Sequence, residues 1–150
     1  MEIKDLLENL ETQKKNLASL LNSAIQKQKA MIESNYESLE SSIWAEERAI
    51  ALIQSSEKSR IKILTELYSR YSVKYDSPKL AEFVEKTKAH VEKKSLGKIL
   101  ASEKEMKSLI KQVTAINQQN RYLIESSRAF IKETISSLIN ANKTLLDKRV

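Results

Sequence analysis

The chain has 150 residues, 41% of them hydrophobic and 31% charged, with a formal net charge of +6, one Gly, one Pro and no Cys. That length fits one domain, the composition reads as helix almost throughout with a coiled-coil bias, and the absence of cysteine excludes a disulfide framework, a thiolate nucleophile and a Cys-ligated zinc site. The positive excess lies wholly after Tyr75, where 15 basic residues stand against 9 acidic ones, compared with 11 against 11 before it.

The opening residues MEIKDLLENLE carry charge from the second position, and no run reaches the length of a signal-peptide core or a membrane span, so a soluble, intracellular protein without membrane insertion is expected. Ile3, Leu10, Leu17, Ala24 and Met31 recur every seven residues, with Leu6, Leu20 and Leu21 beside them. This is the coiled-coil period. A second register follows with Tyr36, Leu39, Ile43, Ile50, Ile53, Leu64, Leu67 and Tyr71. The step of five from Met31 to Tyr36 breaks the phase, and Glu33, Ser34 and Asn35 are placed to kink or interrupt the helix there, because Ser and Asn compete for backbone hydrogen bonds and favour caps. A helical hairpin over about 2–71 is therefore expected.

The stretch YSVKYDSPKLAEF is punctuation. Asp76 or Ser77 can cap a helix and Pro78 suits a first turn, which predicts a connector over 72–77 and a short helix over about 78–92 with Leu80, Phe83, Val84 and Val91 on one face. Gly97 disfavours helix by about 1 kcal/mol relative to Ala, so the chain either stops near Lys94 to Gly97 or runs straight on. From about 96 to 146 the pattern is helical and nearly unbroken, enough for a rod about 75 Å long at 1.5 Å per residue. Long elements of this kind pair side by side. The fold class expected is all-α, an elongated antiparallel bundle of long coiled-coil-like helices.

Converging catalytic groups are missing from the sequence. The lone His90 has no Asp or Cys partner at a recognisable spacing and reads as a surface or packing residue. There is no phosphate-cradling glycine loop, no Glu-x-x-His pair and no nucleophile motif, so no enzyme activity, cofactor or metal is expected. Trp44, beside Ile43, suits a core or flank position. The lysines from Lys86 to Lys111 are interrupted by Glu85, Glu92, Glu103 and Glu105 and carry no interleaved aromatics for base stacking, so they read as a solvated face and no nucleic acid is expected.

One stretch does not suit a plain leucine seam. The run INQQNRYLIESSRAFIKETISSL, Ile116 to Leu138, puts Asn117, Asn120 and Ser127 among apolar positions, and a buried amide or hydroxyl is costly without a hydrogen-bond partner. With Asn117, Asn120, Leu123 and Ile124 in this spacing, the run resembles the C-terminal signature of the FlgN family, the export chaperones of bacterial flagella. In the first half, Asn35, Leu39, Arg48, Leu52 and Arg60 fall on the family's weaker pattern, with Arg48 where Lys is commoner, so the resemblance spans nearly the whole chain. At the tail the sequence departs from it. LLDKRV has neither the Tyr nor the Gly of the short extension that many members carry and that is associated with the export gate.

The resemblance implies a cytoplasmic chaperone that binds hook-associated proteins one and three (FlgK-like and FlgL-like) before type III export, prevents premature assembly and delivers them to the flagellar export gate. It also implies a cargo-binding face comprising Asn117, Asn120, Leu123, Ile124, Ser127, Ile131, Ile135, Leu138 and Leu145. Two readings of the polar residues stay open: register-setting amides inside the bundle, as a buried Asn acts in coiled coils, or members of the cargo face. From the heptads alone, a structural scaffold or tether is the competing function.

Overall fold

The computed structural model describes the backbone of residues 1–149 and the side chains of residues 1–140 and 143. Four helices follow one another: α1 (Ile3–Ile32), α2 (Tyr36–Arg70), α3 (Leu80–Lys86) and α4 (Lys93–Arg149), with no strand among the described residues. The chain reverses at Glu33–Asn35, where the heptad phase breaks. The Asn35 N–H donates to the Ala30 carbonyl (2.9 Å) and that of Ser34 to Met31 (3.3 Å), the two bonds of a Schellman C-cap. Asn35 then caps α2, its Oδ1 accepting from the Ser38 N–H at 3.1 Å. The same C-cap ends α2, with Val73 bonding to Tyr68 and Ser72 to Ser69.

Both C-caps place a serine in the left-handed region usually held by Gly: Ser34 has φ 54° and Ser72 has φ 55°. That conformation costs a residue with a Cβ about 1–2 kcal/mol, partly offset because Gly loses more chain entropy on folding. Ser34→Gly should therefore raise stability by about 0.5–1 kcal/mol in urea titrations. A lower midpoint would mean that the serine side chain itself holds the turn.

Cross-links between the elements fix the helix directions. Asn9 donates to the Ser56 carbonyl (3.0 Å), Lys27 pairs with Glu46 (3.5 Å) and Arg70 donates to the Met1 carbonyl (2.8 Å), so α1 and α2 are antiparallel. Lys14 pairs with Glu105 (3.3 Å), Gln28 donates to Gln119 (2.9 Å) and Asn120 to the Ala24 carbonyl (3.1 Å), so α4 runs parallel to α1. The all-α bundle is as expected: the three long helices run up, down and up, so that α2 is antiparallel to both α1 and α4, and α1 and α4 are parallel. The Arg70–Met1 bond places the end of α2 where α1 begins, and α3 with its flanking turns leads from there into α4.

Helix α1 is the spine, packed against α2 and α4. The main core gathers Leu6, Leu10 and Leu17 with Ile63, Leu64, Leu67, Tyr68, Leu80, Phe83, Val84, Leu96, Ile99 and Met106, all toward the α3 end. Gln13 is buried there and donates to Glu57 at 3.1 Å. Glu57 also accepts from Arg60 Nε (2.8 Å), and Arg60 reaches the Pro78 carbonyl (2.7 Å). The Arg60 guanidinium, aided by Gln13, holds the Glu57 carboxyl below its ordinary range.

Toward the α1–α2 turn the contacts are smaller: Ser23, Ala24 and Ala30 on α1 and Ser42 and Ala49 on α2 are the buried residues. The second register holds at Leu64 and Leu67, which are buried, and is corrected by one position at Ile43 and Ile50. Ser42 and Ala49 face inward while Ile43 and Ile50 are more than a third exposed, since small side chains on both helices let their axes approach. Trp44 is 67% exposed on the flank.

The segment expected to be one helix over 78–92 is also corrected. After seven residues α3 ends at Thr87, whose Oγ1 donates to the Phe83 carbonyl (2.6 Å) and whose own carbonyl accepts from the His90 and Val91 N–H groups (2.9 and 3.0 Å) in the turn that follows. Turns over 87–91 then lead into α4. His90 stacks on Tyr71, ring centroids 5.2 Å apart. Gly97 lies inside α4, held there by the buried flanking Leu96 and Ile99.

Glu82 fastens α3 to the connector. Its carboxylate accepts from the Ser77 hydroxyl (2.6 Å) and from the Asp76 and Ser77 N–H groups (2.8 and 2.9 Å), and pairs with Lys86 (2.9 Å). These donors, the Ser77 hydroxyl first, hold its pKa at about 2 against an ordinary 4.5. Because the folded value is the lower one, the stabilisation is complete above about pH 4.5 and is lost as pH falls toward 2. The stacked Tyr68–Tyr75 pair, 4.2 Å between centroids, reports on the connector. Its near-ultraviolet circular dichroism should fade through that window, and Glu82→Gln should weaken the signal at neutral pH and flatten the acid transition.

Candidate functional site

The buried seam of α4 keeps a seven-residue period: Ile99, Met106, Val113 and Asn120 are all buried. The next member, Ser127, is exposed, because α1 has already ended at Ile32. A parallel line one turn away, Ile124, Ile131 and Leu138, passes from half-buried to exposed. From Glu125 onward every described side chain of α4 is exposed, including Phe130 (68%), Ile131 (56%), Ile135 (52%) and Leu138 (62%). Over Glu125 to Asn140 helix α4 therefore projects beyond its partners as an arm about 24 Å long, one side of which is apolar. Exposed apolar surface of this continuity marks an interaction site in soluble proteins.

At the root of the arm lies a cleft of about 630 Å³. Met31 and Ile32 at the end of α1, Tyr36 and Leu39 at the start of α2, and Leu123, Ile124, Phe130 and Ile131 of α4 line it. The local reason is the C-cap at Ser34: it turns the chain within three residues, leaving Ile32 and Tyr36 exposed at 67% and 81% beside the departing α4. Three elements thus present apolar side chains to one concavity that opens onto the arm.

The residues singled out from sequence divide into three groups. Asn120 is only 2% exposed and bonds through Nδ2 to the Ala24 carbonyl, leaving its Oδ1 buried without a partner. It sits between α1 and α4, where an amide fixes the register of the pair. Asn117 is exposed, outside the seam. Leu123, Ile124, Ser127 and Ile131 are brought together around the cleft, and Ile135 and Leu138 continue along the arm. The Leu145 side chain lies outside the described residues.

The α1–α2 side of the cleft was not legible from sequence, nor was Phe130. The break at Glu33–Asn35 was the available signal, since it placed two apolar residues, Ile32 and Tyr36, at a turn where nothing in the hairpin could cover them.

Among the described residues no group of His, Cys, Asp or Glu is arranged to hold a metal ion, and no helix is long and apolar enough to cross a membrane. Comparison with curated proteins and with solved structures gives no match. The family model described as FlgN protein matches residues 1–146, nearly the whole of a chain whose Asn-bearing helix ends in an exposed apolar arm. The chain belongs to the FlgN family, the flagellar export chaperones.

Proposed function

We propose that this chaperone acts in the cytoplasm on hook-associated proteins one and three, holding a helical segment of each against the cleft and the α4 arm until export. The observation that carries this reading is the arm itself: its apolar line continues the buried seam of α4 past the end of α1, so a partner helix laid there takes the place of the missing bundle neighbour. Cargo segments that form coiled coils on assembly and are unordered before it suit such helix-in-groove pairing. Covering them blocks premature assembly. Ser127 and Thr134, set among the apolar residues, keep the seam from being uniformly leucine-like, which favours release at the export gate. Ile124, Ile131, Ile135 and Leu138 are the proposed anchors, with Leu123 at the cleft; Asn120 acts indirectly by fixing α4 against α1.

A co-expression pull-down with a hook-associated protein from the same genome tests the reading, set beside a chain truncated after Ser126. Capture by the full chain and its loss on truncation support it. If neither chain captures cargo and the full chain sediments as a stable oligomer, the scaffold function takes its place.

A further inference from the structure

The charges beside the docking line are unevenly placed. Next to Ile124, Ile131 and Leu138 on one side run Leu123, Phe130 and Ser137, with no charge. On the other side run Arg121 and Arg128, seven residues apart, and Lys132 four further on, a spacing that puts all three on one edge of a helix. All three are exposed, and none makes an ion pair among the described residues. Arg128 also lines the cleft. Glu125 is the acid near this edge, four residues from Arg121 and three from Arg128, and it leaves the edge with a net positive charge.

We propose that the helix received by the cleft and arm carries carboxylates along one edge, and that Arg128, flanked by Arg121 and Lys132, reads them. This rests on the docking function proposed above and adds the partner's chemistry and its orientation. An amphipathic helix whose apolar face meets Ile124, Ile131 and Leu138 brings one of its edges alongside the three cations. Asp or Glu there gains charge-assisted pairing with the Arg128 guanidinium, while Lys or Arg there is repelled, so the chain distinguishes two helices of equal hydrophobicity.

Other occupants fit less well. A second copy of the chain, docked along the same line, sets basic edge against basic edge when antiparallel and against the uncharged edge when parallel, with no ionic gain either way. An acidic bilayer favours a helix with cations along both flanks of its apolar face, whereas here one flank is uncharged, and a concave cleft suits a helix better than a flat surface. The net charge of +6 adds long-range attraction toward an acidic partner.

The test uses the full chain and two synthetic amphipathic peptides with identical leucine faces, one with Glu along a single edge and one with Lys there, measured by fluorescence anisotropy. The Glu-edged peptide should bind about tenfold more tightly or better at low ionic strength, with the gap closing as salt rises. Arg128→Glu combined with Lys132→Glu should reverse the preference at unchanged helical content. Equal affinities, or a double variant that keeps the original preference, overturn the acidic edge while leaving apolar docking intact. Failure of both peptides to bind overturns the docking function as well. Concentration-dependent self-association, or binding to phosphatidylserine vesicles, that blocks both peptides alike assigns the face to a second copy or to lipid and also overturns the proposal.

Discussion

Ile131→Asp and Leu138→Asp should each reduce capture of a hook-associated protein by about 100-fold or more while leaving the melting temperature within about 2 °C of the parent. Both side chains are more than half exposed, and exposed substitutions usually alter stability by no more than about 0.5 kcal/mol. On the docking function proposed above, the same positions meet an apolar helix face, where a carboxylate is desolvated. Binding and folding should therefore separate. A drop of many degrees in either variant, seen by thermal circular dichroism, would place the residue in a core and remove the docking line. Asn117→Asp, exposed and outside the seam, is the matched control and should alter neither property strongly.

Phe83→Ala should give the opposite pattern. Phe83 is fully buried and meets the Tyr68 ring edge-on at 5.2 Å between centroids, inside the cluster that joins α1, α2, α3 and α4. Removing such a ring costs about 3–5 kcal/mol through lost transfer energy and the residual cavity, which lowers the melting temperature by roughly 10 °C in a chain of this size. Below the transition, cargo capture should survive, because the cleft lies at the far end of the bundle. Tyr68→Phe is a useful companion. The Tyr68 hydroxyl is buried with no hydrogen-bond partner, and burial, with Glu82 nearby, pushes its pKa up to about 12. Deleting that hydroxyl should be neutral or slightly stabilising. A loss near that of Phe83→Ala would mean that the hydroxyl has a partner such as a buried water.

The first helix was the most readable part of the sequence, since Leu10, Leu17 and Ala24 repeat every seven residues and all three are buried. The turn at Glu33–Asn35 was also marked, because a five-residue step in the heptad coincided with two residues that cap helices. Elsewhere the pattern misled for physical reasons. In α2 the larger Ile43 and Ile50 attracted the register, yet close approach to Ala24 and Ala30 selects small neighbours, and Ser42 and Ala49 face inward. In α3 the period continued to Val91, which is buried as that pattern asks, but it reaches the core from turns over 87–91 rather than from a helix. Two reversals, at Glu33–Asn35 and across the connector with α3, set α4 parallel to α1, while the extent of α3 itself is a three-dimensional quantity. The same holds for the candidate site: its apolar line could be read letter by letter, while the separation of Asn120 from Asn117 and the cleft wall from Tyr36 and Leu39 required knowing where α1 stops.

The continuous hydrogen-bond ladder of α4 has a consequence for exchange with solvent. Amides around Ile99 and Met106 open only when the whole core opens, so they should exchange with deuterium over the longest times. Those over 128–140 belong to the same helix, but no neighbouring helix pins them, and a helix without packing is marginal in water. They should exchange orders of magnitude sooner, with the step falling between Asn120 and Arg128. Bound cargo should push that step outward along the arm, so the deuterium profile of one helix would record, residue by residue, how far the partner reaches.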